Sequence, residues 1–143
     1  MSSESSKEID KREKYIYLSK LYTKAELYKE VINFIKEFIK LKPKLNKEEC
    51  DIVSNGFKNL LTDKRSSWSV LHSMERKEKK KRINTVKEIK EIKKHIEKEI
   101  REVCVELQNL LDKYLLPNND DDILAFLYTQ FLFYWNVSNL KKQ

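Results

Sequence analysis

Lys58 and Arg65 stand seven residues apart in the stretch FKNLLTDKRSSWSVL, residues 57–71, which also carries the adjacent hydroxyls of Ser66 and Ser67 and a large aromatic, Trp68. On a helix, seven residues make almost two turns, so the two cations share one face and lie about 10 Å apart along the axis. Such a pair can grip one anion. Arg offers a phosphate two parallel N–H donors, Lys adds a mobile point charge, and each charge-assisted bond contributes about 1.5–3 kcal/mol. Spacing alone leaves a second reading open, two solvated surface cations in a chain rich in lysine.

Other chemistries find little material. His72 and His95 have no Cys or carboxylate at metal-ligand spacing, and Cys50 and Cys104 form no C-x-x-C pair, so neither a metal nor a redox site is expected. Ser66 and Ser67 lack the flanking glycines of a nucleophile elbow, and the single glycine, Gly56, excludes a glycine-rich phosphate loop. No catalysis and no cofactor are expected.

The run RKEKKKR, residues 76–82, could release counterions from a polyphosphate, yet no rings alternate with its cations as single-strand binding requires. A solvated turn between helices is the competing reading, and nucleic acid is not an expected partner. Ile123–Val137 is apolar for 15 residues but contains Thr129, Gln130 and Asn136. That is short of the ~20 a spanning helix needs, so a core helix is expected and a membrane partner is not.

These residues must be positioned by helices. The chain has 143 residues, 40% apolar and 37% charged, with one Gly and two Pro. Few breakers and a high charge content favour amphipathic helices over many-turned β structure. An all-α fold of five helices in an antiparallel stack is expected, with residues 1–10 as a flexible tail and 11–143 as a single domain. Apolar spacings of three and four predict the first helix over 12–24, the second from Tyr28 until Pro43 stops it, and the third over 47–76 behind an Asn46 cap. The fourth should run from Ile83 towards Pro117, and the fifth should begin after Asp120–Asp122. A net charge of +7 attracts anionic partners without choosing among them. The polar start MSSESSKEIDKREK lacks the apolar core of a signal peptide, so a cytoplasmic location is expected.

The segments EECDIVSNGFKNLLTDKRSSWSVL and EKEIREVCVELQNLLDKYLLPN, with Tyr-Lys-Glu at 28–30, closely resemble the N-terminal half of 14-3-3 proteins. The resemblance runs in order from about Leu18 to Phe126 and then fades. It implies a dimeric, cup-shaped helical adaptor that binds phosphoserine or phosphothreonine segments of client proteins without cofactor or catalysis. Lys58 and Arg65 then fall on two of the family's phosphate-binding positions.

Leu21, Ala25, Tyr28, Glu30, Ser67, Leu71, Met74, Ile92, His95 and Glu99 fall at the family's dimer seam. Ser67 matches a serine whose phosphorylation is associated with monomer formation. Glu30 and His95 occupy an acid–lysine pair, and Leu27 replaces an arginine opposite Glu99. In the fifth helix Asn136 and Val137 stand where the family has the Arg-Tyr pair that completes the phosphate site. That loss is expected to cost about 3–5 kcal/mol of binding. The family's last four helices have no counterpart in the sequence, so the chain is expected to be a truncated or misassembled form of a longer member. Three functions therefore remain in view: an impaired phosphopeptide adaptor, a dimerisation module pairing with full-length relatives, and a basic polyanion or membrane-surface binder.

Overall fold

The period of apolar residues in YKEVINFIKEFIKL places Val31, Ile32, Ile35, Phe38 and Ile39 on one side of a helix. In the computed structural model this helix buries all five and is the centre of the core. The structure describes residues 3–79 and 83–138, with side chains over 6–79 and 85–132. Its elements are α1 (Ser3–Lys24), α2 (Tyr28–Leu41), α3 (Lys47–Glu78), α4 (Ile83–Leu110) and α5 (Asp121–Ser138). A π-helical turn, Leu111–Leu115, and a 3-10 turn, Leu116–Asn118, lead from α4 to α5. The fold is all-α, as expected. α1 begins at Ser3 rather than Arg12, so the boundary anticipated at residue 10 is not an element end; residues 6–10 are exposed helix.

Each joint has a local cause. α1 ends in a Schellman cap, with Leu27 N–H donating to Tyr22 O and Glu26 N–H to Thr23 O, both at 3.0 Å. Glu26 takes the left-handed conformation there, φ 60°, which glycine would adopt without strain. The Asn46 side chain accepts from Glu49 N–H at 2.8 Å while Glu49 Oε1 accepts from Asn46 N–H at 3.0 Å, a reciprocal cap that starts α3. Arg12 of α1 donates to Phe38 O at 3.2 Å and pairs with Glu49, tying α1 to both neighbours. Asn119 donates to Pro43 O at 3.0 Å and accepts from Leu45 N–H at 2.9 Å, fastening the α2–α3 loop to the turn before α5.

α1 lies against α2 in antiparallel sense, since Tyr15 and Tyr22 flank the Phe34 ring while Arg12 reaches Phe38. α3 and α4 are likewise antiparallel, with Lys64 facing Glu99 and Thr85 facing Glu78. Gly56 lets α2 close on α3: a Cβ there would run into Ile35 Cδ1 and lie 3.3 Å from Val31 Cγ1. Cys50, fully buried beside Val53 and Phe57, has its thiol pushed up to about 11, chiefly by burial. α5, expected as a core helix, seats Leu127 and Phe131 in the core but leaves Phe126, Tyr128 and Leu132 exposed.

Candidate functional site: an anion-binding face on α3

α3 runs unbroken from Lys47 to Glu78, so the spacing of Lys58 and Arg65 becomes geometry. Val53, Phe57, Leu60 and Leu61 turn into the core. Asp51, Asn55, Lys58, Thr62, Arg65 and Ser69 form the exposed stripe. Both cations therefore project from one solvent face, separated by almost two turns. Two cations so placed present charge-assisted N–H donors to solvent on the same side of the helix. Among the described residues, no three His, Cys, Asp or Glu side chains gather to hold a metal ion, and no helix is long and apolar enough to cross a membrane.

The neighbouring face of α3 is fastened to α4 by polar groups. Lys93 Nζ lies 2.6 Å from Glu75 Oε2, 2.9 Å from His72 Nδ1 and 4.6 Å from the centre of the Trp68 ring. The Trp68 and His72 rings stack 4.8 Å apart, and Trp68 Nε1–H donates to Glu97 Oε1 at 3.0 Å. One turn earlier, Lys64 donates to Glu99 Oε2 at 2.5 Å. These bonds hold Glu75 and Glu99 below the usual carboxylate range, Glu75 mainly through Lys93 and Glu99 mainly through Lys64. The large aromatic of the RSSW run thus covers a lysine between two helices.

The match to known sequences agrees with this frame. The sequence model described as "14-3-3 protein" matches residues 18–131, which include α3 and every contact just described between α3 and α4. The chain belongs to the 14-3-3 family. It is 37% identical over 112 residues to "14-3-3-like protein GF14 epsilon" of Arabidopsis thaliana, covering 78% of this chain and 44% of that protein. It is 36% identical to "14-3-3 protein 7" of Solanum lycopersicum, covering 76% and 43% of the two chains. It is 34% identical to "14-3-3 protein epsilon" of Drosophila melanogaster, covering 74% and 41%. The chain thus spans less than half the length of these 14-3-3 relatives.

The residues expected at a dimer seam fall in three places. Leu21, Ala25, Tyr28 and Glu30 lie around the α1–α2 turn, all exposed except the half-buried Tyr28. Ser67, Leu71 and Met74 follow one face of α3, with Ser67 exposed and Leu71 half-buried. Ile92, His95 and Glu99 lie on α4. Glu99 is not left without a counter-charge by Leu27: it pairs with Lys64 and, at 2.9 Å, with His95. His95 therefore faces an acid of its own helix within the chain. Asn136 and Val137 lie outside the residues whose side chains are described, and the 14-3-3 match ends before them.

Sequence reading missed the Lys93–Glu75 pair. The signal was present: Lys93 occupies the inward register of α4 between Ile89 and Ile96, where a lysine needs an anionic partner.

Proposed function

We propose that the chain is a phosphoserine- and phosphothreonine-binding adaptor of the 14-3-3 type, acting without catalysis in the cytoplasm. The observation that supports this reading is the pairing of Lys58 and Arg65 on one exposed stripe of α3, inside the matched residues 18–131. Asn136 and Val137, in place of an Arg-Tyr pair, make its grip weaker than a complete clamp by about two to four decades.

Fluorescence polarisation with a phosphoserine peptide and its unphosphorylated twin tests the proposal. Preference for the phosphorylated peptide is expected, with Lys58→Ala and Arg65→Ala each weakening it by about tenfold or more. Equal binding of both peptides would overturn it.

A second reading, a dimerisation module that pairs with itself or with 14-3-3 relatives, is favoured by the exposure of Leu21, Met74 and Ile92 at 42%, 47% and 50%. Apolar side chains this open at matched seam positions suit a partner surface. Co-sedimentation with a full-length relative, abolished by Leu21→Lys, supports this reading. Persistence of a monomer at high concentration counts against it.

A further inference from the structure

The charges of α4 are sorted, and one set is held in no ion pair among the described residues; of its five cations only Lys90 acts on a carboxylate, Glu75 of α3, and does so from a distance. Lys87, Lys90, Lys94, Lys98 and Arg101 are all exposed. At about 100° per residue they fall within roughly 80° of arc, and at 1.5 Å rise they make a line about 21 Å long. None of the five makes a hydrogen bond, ion pair or ring contact among the described residues. No carboxylate of the helix lies inside that arc. Glu88, Glu91, Glu99, Glu102 and Glu106 occupy the adjoining one, where other helices supply cations: Lys64 reaches Glu99 at 2.5 Å and Lys36 reaches Glu106 at 3.2 Å. Val105, 57% exposed, continues the cationic line. Thr85 Oγ1–H donates to Glu78 at 3.0 Å, which brings the start of α4 beside the end of α3, where Arg76 and Lys77 are exposed.

We propose that this face of α4 docks on an anionic lipid surface. The cations follow a straight helix and carry long flexible stems, so all five ammonium and guanidinium groups reach one plane together. A plane meets only the cationic arc and leaves the acidic arc turned aside. A helix laid in a nucleic-acid groove has phosphates along both flanks, and here one flank is the row of glutamates. The arc also has no ring on which an unpaired base could stack. The surface lies on a different helix from Lys58 and Arg65, so it is a separate function from phosphopeptide capture.

Each cation near an anionic leaflet strengthens partitioning by about fivefold. The test is sedimentation of the full chain with vesicles of phosphatidylcholine, with and without phosphatidylserine. Binding only to the phosphatidylserine vesicles is expected, weakening steeply with added salt. Lys90→Gln/Lys94→Gln/Lys98→Gln should reduce it about a hundredfold. Lys7→Gln/Lys11→Gln/Lys14→Gln, with the same change in net charge on α1, should leave it intact. Glu91→Lys broadens the arc without removing any contact and should strengthen binding. Equal binding to both vesicle types, equal loss in the two triple variants, or tighter binding to duplex DNA or polyglutamate at the same salt would overturn the inference.

Discussion

Lys93 of α4 holds Glu75 of α3 at 2.6 Å, with the two side chains only 12% and 7% exposed. Replacing the lysine by methionine leaves the carboxylate with Lys79, 3.6 Å away on the open side of α3, and the more distant Lys90. Lys93→Met is expected to lower stability by about 2–3 kcal/mol in chemical denaturation. Lys93→Met/Glu75→Leu, which removes both charges, should recover most of that loss. A double variant that is less stable than Lys93→Met would contradict the pairing.

Acid should loosen the same helix pair. Glu75 and Glu99 both titrate below their ordinary value because Lys93 and Lys64 hydrogen-bond their ionised forms. A carboxylate depressed in the folded state stabilises it above the unfolded pKa, about 4.3, and that contribution is lost as pH falls through the folded value. The melting temperature is expected to decline on the acid side of about pH 4.3, with a shallower decline in Glu75→Gln. Identical slopes for the two proteins would remove Glu75 from the account.

The cap of α1 offers a stabilising change. Glu26 sits at φ 60°, where an L side chain crowds the following carbonyl by about 1–2 kcal/mol. Glycine relieves this at some cost in unfolded-state freedom, so Glu26→Gly should gain about 0.5–1 kcal/mol in thermal unfolding. Glu26→Val should lose stability, and equal melting of the two variants would argue against the cap.

Gly56 sets two effects against each other. Alanine gains about 1 kcal/mol of helix propensity, while overpacking a filled core costs about 1–3 kcal/mol. Ile35 is fully buried, and the new methyl would also press on Val31, so the displaced Cδ1 has little space to enter. Gly56→Ala is expected to be destabilising, and Gly56→Ala/Ile35→Val, which deletes that atom, should melt higher than Gly56→Ala.

What was legible in the sequence was what local periodicity and capping determine. Pro43 marked the end of α2, and Asn46 with Glu49 marked the start of α3. The common face of Lys58 and Arg65 followed from arithmetic once α3 was continuous. The first turns of α1 escaped notice because Ser3–Asp10 carries one large apolar residue, Ile9, too few for a helical stripe, and Ile9 is 47% exposed. The widening of the helix at Leu111–Leu115 was equally hidden, since its leucines also suit a regular α-helix. Glu99's choice of Lys64 and His95 depends on how α3 lies against α4, which no spacing within one helix encodes.

The depth of Cys50 gives the molecule a built-in clock. A thiol raised to about 11 and sealed from solvent stays protonated and out of reach of alkylating reagents. The pace at which iodoacetamide modifies it should follow how often the α2–α3 centre opens, and denaturant that speeds such openings should quicken the labelling.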